Sequence, residues 1–160
     1  GWNFINKQGE LLWKEDKWFD YTWYFYQGFA KVKKASKWNF INTKGELVWN
    51  KDEWFDSVDD FHKGFAGVYK KGRGWNIINP QGELIWKEDE WLDYVVVFSE
   101  GFARVYINGK GYNFINEQGE LLWKKDIWFE DAWNFNYGVA DVKYKGNRCE
   151  LTTKGELIKC

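Results

Sequence analysis

The chain has little of what membrane, nucleic-acid and catalytic proteins need. Its 160 residues contain 23 basic and 24 acidic side chains in no basic stripe, so counterion release would give nucleic acid little affinity. No apolar run is long enough to span a bilayer, which argues against membrane insertion. The chain has no methionine and does not open on a basic-then-apolar leader, which predicts a mature protein or an excised fragment.

Groups that could perform catalysis are equally scarce. The single histidine, His62, stands at a variable position, and no Ser/His/Asp or Cys/His set can be assembled without it. No glycine-rich phosphate loop opens a helix. The pair Asp59 and Asp60 keeps a glycosidase-like dyad open as an alternative, because such enzymes hold two carboxylates roughly 5–10 Å apart. The sequence predicts no enzyme and no cofactor.

Two cysteines, Cys149 and Cys160, lie near the end of the chain and are not at metal-ligand spacing. On a hairpin they would be diagonal neighbours on adjacent strands, close to the separation that a disulfide requires. Two unpaired thiols are the favoured interpretation, and the disulfide is the alternative.

What the chain has in abundance is aromatic side chains, and they recur with a fixed period. Aromatic residues make up 22% of the sequence, and each can bury roughly 150–250 Å². The segment 2–13 returns as 38–49, 75–86 and 112–123, which is typical of a repeat architecture. The sequence predicts one domain, 1–160, with repeats 2–37, 38–74, 75–111 and 112–147 and a partial repeat 148–160.

Each repeat predicts short antiparallel strands. In the first copy Lys7 and Gln8 form the tip of a hairpin, and Gly9 supplies its unusual backbone angle. The Gly-Phe-Ala-x-Val pattern before each later hairpin predicts a third strand, and no helical period is present. We therefore predict an all-β fold of three-stranded antiparallel meanders stacked in an open solenoid-like, superhelical array. A closed ring resembling a β-propeller is the alternative.

Acidic residues recur at two positions of the connector between meanders. They are Asp16, Asp52, Asp89 and Asp126 at the first position, and Asp20, Asp56, Asp93 and Glu130 at the second. Both sets are interpreted as turn formers, because carboxylates near turns commonly accept backbone N–H groups. A repeated calcium site is the more specific alternative, although lysines interrupt the cluster of acidic residues. No metal is predicted.

All tryptophans fall at four positions of the repeat. Three positions recur in nearly every copy: the leading aromatic of the hairpin (Trp2), its closing Trp (Trp13) and the first Trp of the connector (Trp18). We expect leading and closing rings to face each other across strands and all three sets to be buried. The fourth position varies, and its occupants are Trp23, Asp59, Val96 and Trp133. A scaffold position would not accept Asp for Trp, so the fourth position is the best candidate for contact with a partner.

The repeated motifs resemble those of the bacterial WG-repeat family. Gly-Lys-Trp/Tyr-x-Phe-Ile-Asn-x-x-Gly-x-Leu and Phe-x-x-Gly-Phe-Ala-x-Val carry the resemblance, and residues 110–112 and 36–38 stand at the Gly-Lys-Trp of the family. The glycine that follows Trp in the family is Asn3 in the first copy and Asn in the next three. The resemblance covers essentially the whole chain. It implies a binding or structural array without catalytic residues, in a bacterial surface or secreted protein.

These observations predict a non-catalytic repeat scaffold that binds a protein partner through its variable connector residues. The candidate binding residues are Tyr21, Trp23, Tyr24, Val58, Asp59, Asp60, Tyr94, Val96, Trp133 and Asn134. Two alternatives stay open. One is a carbohydrate-binding or cell-wall-binding module that stacks exposed Trp faces on sugar rings, and the other is a structural spacer in a larger surface protein.

Overall fold

The computed structural model describes residues 1–51, 53–123 and 127–160. These residues form short β-strands joined by turns and no helix, so none of them could cross a bilayer as a helix. The all-β prediction is confirmed. Asp52 and Asp126 lie outside the described residues, and their role as turn formers stays a prediction.

The chain divides into two compact units, and the strands of the described residues form four small antiparallel sheets. The first unit comprises Gly1–Gly72 and Ile77–Leu84, and the second comprises Arg73–Asn76 and Ile85–Cys160. None of the four sheets closes into a barrel within the described residues. The choice between an open array and a ring stays a prediction, as does the single domain.

Two sheets have the strand order of a three-stranded meander in the first half of the chain. The first sheet has the order β1-β2-β3, with β1 at Tyr21–Thr22, β2 at Phe29–Lys34 and β3 at Lys37–Asn42. The second has the order β4-β5-β6, with β4 at Ser57–Val58, β5 at Ala66–Lys70 and β6 at Gly74–Ile78. Strand β6 begins in the second unit and ends in the first.

Two further sheets lie in the second unit. The third sheet has the order β7-β8-β9, with β7 at Tyr94–Ser99, β8 at Phe102–Ile107 and β9 at Gly111–Ile115. The fourth has the order β10-β11-β12-β13, with β10 at Asp131–Ala132, β11 at Val139–Tyr144, β12 at Asn147–Thr152 and β13 at Leu157–Ile158. Three strands per repeat is therefore the basic pattern.

The identity of the third strand differs from the prediction. The Glu-Leu-Leu-Trp segment makes only a single bridge to the hairpin strand, Ile5 with Leu11 in the first copy, and reaches two residues only in β13. The third strand comes from the connector instead, as β1, β4, β7 and β10. The prediction that the closing segment is a five-residue strand was wrong.

A buried asparagine explains why the closing segment forms no ladder. The Trp49 backbone N–H donates to Asn39 Oδ1 at 3.0 Å, and Asn39 Nδ2 donates to the Trp49 carbonyl at 2.7 Å. Asn3 and Trp13 make the same pair of bonds at 3.0 and 2.9 Å. The side-chain amide thus occupies the backbone groups that strand pairing would use, and it satisfies its own buried polar atoms.

The core is built from smaller side chains than the tryptophans suggested. In the first unit one cluster of the core contains Phe19, Ala30, Val32 and Ile41, all nearly or fully buried. In the second unit the corresponding cluster contains Phe129, Ala140, Val142 and Leu151 with Phe114, Ala132, Phe135 and Cys149. Successive strand residues point to opposite faces, so Ala30 and Val32 share the core face while Lys31 and Lys33 point away.

The predicted burial of three tryptophan positions is therefore only partly correct. Trp49 and Trp86 of the closing position and Trp91 of the connector are buried, but the leading Trp2 and the connector residue Trp18 are exposed. The leading aromatic pairs with the connector, as Trp2 with Phe19, and not with the closing Trp. The reason is alternation: Trp38 lies on the face opposite Asn39 and Ile41, whereas Phe40 on that same face is buried because it packs on Phe61.

The turn glycine of each hairpin after the first packs on the preceding repeat. A Cβ on Gly82 would lie 3.2 Å from the carbonyl carbon of Val48 and closer still to its oxygen. A Cβ on Gly119 would lie 3.1 Å from the carbonyl carbon of Ile85 and would overlap the oxygen in the same way. Only glycine fits a close approach at the positive φ of these turns, +77° and +78°.

The cysteines form a disulfide between Cys149 and Cys160, so the favoured interpretation of two free thiols was wrong. In the β12–β13 register Glu150 lies opposite Ile158, which brings residue 160 diagonally beside residue 149. This is the diagonal arrangement on adjacent strands that the alternative, a disulfide, required. The disulfide attaches the end of the chain to β12.

The second set of acidic residues accepts backbone N–H groups, as predicted, but from a turn further along the chain. The donors lie in the turn between the second and third strands of the same sheet: Ala35 to Asp20 at 2.8 Å, Lys71 to Asp56 at 2.8 Å, Asn108 to Asp93 at 2.7 Å and Gly146 to Glu130 at 2.9 Å. In the first set, Asp16 and Asp89 lie in bends of the connector.

Candidate functional site

An open groove with three aromatic walls lies on the outward face of the first sheet. Its volume is about 510 Å³. Six residues line it: Asp20, Tyr21, Trp23, Lys33, Ser36 and Trp38. Trp23 is 39% exposed, so its ring is available to a ligand. We call this feature the aromatic groove.

Strand register builds the aromatic groove. Tyr21 on β1 lies opposite Lys33 on β2, and Lys33 lies opposite Trp38 on β3, so one row crosses the sheet. Side chains directly opposite each other on antiparallel strands share a face. The next row, Thr22, Val32 and Asn39, points to the core. Burial of Val32 and Asn39 therefore places the neighbouring row, Tyr21, Lys33 and Trp38, on the outward face.

The aromatic rings and cations of the groove hold each other in place. The ring centroids of Tyr21 and Trp23 are 5.9 Å apart, and those of Tyr21 and Trp38 are 6.3 Å apart in an edge-on arrangement. Lys33 Nζ lies 5.3 Å from the Trp38 ring and Lys31 Nζ lies 5.5 Å from the Trp23 ring. Both distances fall within the range of a cation–π interaction. The walls are thus pre-ordered, which lowers the entropy lost on binding.

One lysine joins the variable positions of two successive repeats. Lys31 contacts the Trp23 ring and also pairs with Asp60 at 3.0 Å. Burial raises the pKa of the adjacent Asp59, while Lys31 lowers it and Asp60 adds to the rise. The acidic pair of the second repeat therefore lies beside the aromatic groove, as the stacking of repeats predicted. Val58, in contrast, is half-buried in β4 opposite Val68.

The row equivalent to Tyr21, Lys33 and Trp38 consists of other residue types in the second unit. On the third sheet it is all tyrosine, Tyr94, Tyr106 and Tyr112, with the last two rings 4.7 Å apart. On the fourth sheet it is charged: Asp131, Lys143 and Arg148. The outward row therefore supplies a different surface in each repeat.

Trp133 is about as exposed as Trp23 and lies close to the charged row of the fourth sheet. It is 38% exposed, and the Arg148 guanidinium lies 4.7 Å from its ring. Asn134 beside it is also exposed, and Val96 at the same position of the third repeat is half-buried. Trp133 thus has a cation on one face, as Trp23 has.

Four residues that line the groove were not among the predicted binding residues: Asp20, Lys33, Ser36 and Trp38. Trp38 was placed among the core aromatics and Lys33 was not considered. Alternation within Phe29–Lys34 was the available signal, because it separates Ala30 and Val32 from the outward lysines. The missing information was the register that puts Trp38 opposite Lys33.

The groups considered for catalysis or metal binding have other contacts. Among the described residues, no three acidic, histidine or cysteine side chains converge as cation ligands. Asp60 is paired with Lys31, and His62 is exposed in a turn where its backbone pairs with Phe65. The exposed aromatics, and not these groups, are the distinctive chemistry of the surface.

Comparison with known families identifies the repeat. Residues 19–38 and 92–110 match the model of the family described as WG containing repeat. The expected resemblance to the WG-repeat family is therefore confirmed for these two segments. Each matched segment starts at a buried connector residue, Phe19 or Leu92, and covers the first two strands of its sheet. The first match ends at the second residue of β3, and the second ends just before β9. No curated protein matches the chain.

Several solved structures resemble this chain. The computationally designed Ika8 protein has 13% identity and a TM-score of 0.48, with 95% of this chain and 52% of that chain covered. The designed Ika4 protein has 12% identity and a TM-score of 0.44, covering 80% and 87%. BamB from Moraxella catarrhalis has 12% identity and a TM-score of 0.41, covering 94% and 54%. The chain thus spans about half the length of Ika8 and BamB.

Proposed function

We propose that this WG-repeat chain is a non-catalytic scaffold that binds a protein partner through its outward connector and sheet residues. The observation that carries the proposal is the aromatic groove, where Tyr21, Trp23 and Trp38 stay exposed or half-buried on an ordered sheet. Tyr and Trp dominate the binding energy of protein interfaces. Their burial by a partner would remove the largest apolar rings on this face from water.

The charges around the groove favour a protein over an uncharged ligand. Lys31 and Lys33 flank the rings, and Asp59 and Asp60 follow on the next repeat. Adjacent patches of opposite sign steer a charged partner and set its orientation. The variation of the outward row from repeat to repeat would then determine which sequence is bound along the array.

Selection of random peptides displayed on phage tests this proposal directly. Peptides that bind the whole chain are then measured by calorimetry against Trp23→Ala and against a control, Tyr137→Ala, at a side chain that is 93% exposed outside the groove. We expect Trp23→Ala to weaken binding at least tenfold, about 1.4 kcal/mol, while the control leaves it unchanged. Equal affinities of the two variants would refute the assignment of the groove.

Carbohydrate binding is the second candidate, because the same groove combines three aromatic rings with the polar groups of Asp20, Lys33 and Ser36. The rings are tilted or edge-on to one another, so a sugar would be clamped between them and would not lie on a flat platform. Titration of soluble peptidoglycan fragments, followed by tryptophan fluorescence, separates the two functions. A glycan-binding module responds and loses the response in Trp23→Ala, whereas a spacer binds neither glycan nor peptide.

A further inference from the structure

One cation of the aromatic groove lacks the carboxylate partner that its counterpart in another repeat has. Lys33 lies in the middle of the outward row of the first sheet, between Tyr21 and Trp38. Its Nζ lies 5.3 Å from the Trp38 ring. Among the residues that the structure describes, no carboxylate forms an ion pair with Lys33. The ammonium group is therefore positioned by a ring and is open to an external anion.

The fourth sheet shows what pairs with this lysine when the chain supplies the partner itself. Lys143 is the equivalent of Lys33, and Glu130 Oε2 lies 3.6 Å from Lys143 Nζ. The other oxygen of Glu130 accepts the backbone N–H of Gly146 at 2.9 Å. Asp131 lies directly opposite Lys143 on the neighbouring strand. The lysine of the fourth sheet thus has carboxylates of the chain beside it.

Two substitutions remove these carboxylates from the first sheet. Asp20 stands at the position of Glu130, and its side chain is one methylene shorter. Asp20 Oδ2 keeps the bond to the turn, where it accepts the Ala35 N–H at 2.8 Å, but it makes no ion pair with Lys33. Tyr21 stands at the position of Asp131, opposite the lysine. The first sheet therefore keeps the cation and replaces one acid by an aromatic wall.

The groove has room for a carboxylate from outside. Its volume is about 510 Å³, and Ser36 lines it together with Lys33. Tyr21 is 41% exposed, and Tyr94 at the equivalent position of the third sheet is 49% exposed, so this face is open in more than one repeat. Aromatic walls keep water from part of the ammonium group, and a charge-assisted hydrogen bond is stronger there than in bulk water.

We propose that the aromatic groove selects a segment of a protein partner that carries Asp or Glu beside an aromatic residue. The carboxylate of the segment pairs with Lys33, and the Ser36 hydroxyl is a second donor to it. The aromatic side chain of the segment packs on Tyr21 and Trp23. Asp20 then offers its second oxygen to a backbone N–H of the same segment. This inference rests on the function proposed for the groove, because it names the chemistry of the partner bound there.

Parallel selections of random peptides displayed on phage test the chemistry of the partner. The targets are the parent chain, Lys33→Met and a control, Lys44→Met, at an exposed lysine in the hairpin after β3. Methionine keeps most of the apolar stem of lysine and removes the charge. Peptides selected on the parent chain and on Lys44→Met should be enriched in Asp or Glu beside an aromatic residue. Those selected on Lys33→Met should lose this enrichment, and Lys33→Arg should restore it.

A double-mutant cycle then locates the bound carboxylate. A peptide selected on the parent chain is compared by calorimetry with its form in which each Asp or Glu is changed to Asn or Gln. We expect the amide form to bind the parent chain about fivefold more weakly and both forms to bind Lys33→Met equally. Added salt should reduce the difference between the two peptides on the parent chain, because the interaction is partly exposed.

The possible failures are distinguishable. Peptides whose binding requires Trp23 but that show no acidic enrichment would overturn this inference and leave the function proposed for the groove in place. An equal loss on the parent chain and on Lys33→Met would do the same, since the carboxylate would then bind elsewhere. The absence of any peptide whose binding requires Trp23 would overturn both. Oligogalacturonic acid, a carboxylated sugar, is titrated in parallel, and if it alone binds through Lys33 and Trp23, the protein partner is refuted.

Discussion

Replacement of the turn glycine Gly82 by alanine tests how the repeats are held together. Gly82 has a φ of +77° and sits directly on the Val48 carbonyl, so an added methyl group meets both a conformational and a steric barrier. Gly9 occupies the equivalent turn of the first repeat with a φ of +80°, and no atom lies within 4 Å of a Cβ added there. The two glycines share the backbone cost and differ only in the neighbouring repeat.

The expected magnitudes follow from these two contributions. A left-handed backbone costs a non-glycine residue about 1–2 kcal/mol, and this applies to both substitutions. Overpacking against a fixed backbone adds about 1–3 kcal/mol, and this applies to Gly82→Ala alone. We therefore expect Gly9→Ala to lower the free energy of unfolding by about 1 kcal/mol and Gly82→Ala by about 3 kcal/mol.

Urea unfolding followed by tryptophan fluorescence measures both values, with an unchanged slope showing that the same transition is compared. A second control, Gly64→Ala, places the methyl group in open space within the first unit, at a φ of +87°. Gly64→Ala should resemble Gly9→Ala. If all three variants lose the same free energy, the close packing of one repeat on the next is refuted.

Three further predictions concern a buried amide, the disulfide and an ion pair. Asn39→Ala should cost about 3 kcal/mol in thermal unfolding, because it leaves the two backbone groups of the closing Trp without partners. Reduction of Cys149–Cys160 should release β13, with a loss of about 3 kcal/mol for a loop of this length, seen as faster amide exchange there. A hydrogen bond from the Lys37 ammonium holds the pKa of Asp56 below its ordinary value, and the backbone N–H of Lys71 lowers it further. This carboxylate therefore stabilises the fold above the ordinary pKa of Asp and stops doing so as pH falls through its lowered value, and Lys37→Met should raise the pKa measured by NMR.

Each of these predictions has a contradicting result. Asn39→Ala with the stability of the parent chain would mean that the amide is not the partner of the closing segment. Exchange in β13 that ignores reductant would mean that strand pairing alone holds it. An Asp56 pKa that does not move in Lys37→Met would remove the ion pair as its cause.

The period and the strand content could be predicted from sequence, but the buried face could not. Trp2 and Phe4 alternate with Asn3 and Ile5, and alternation alone leaves open which pair faces inward. The large area of the aromatic rings favoured the prediction that Trp2 and Phe4 face inward. The sheet instead buries the Asn and Ile set, because the Asn amide finds backbone partners in the closing segment. That compensation depends on a contact ten residues away. Of the aromatic set only the Phe position is buried as well, at Phe40 and Phe114.

The candidate site was partly predictable for a similar reason. Trp23 and Trp133 stand at a position where other copies hold unrelated residues, and both are exposed. Lys33 and Trp38 come from two other strands and reach the groove only through the β1-β2-β3 register. The short strand β1, two residues long, gave no periodic signal that could have revealed that register. The disulfide likewise required the β12–β13 pairing.

The indole N–H signals of the thirteen tryptophans, measured by NMR during titration with a groove-binding peptide, test the central claim most directly. The claim is that outward residues of the sheets bind while buried recurring residues hold the repeats together. We expect large shifts at Trp23 and Trp38 and none at Trp49 or Trp86. Shifts at the buried indoles with Trp23 unchanged would contradict the account.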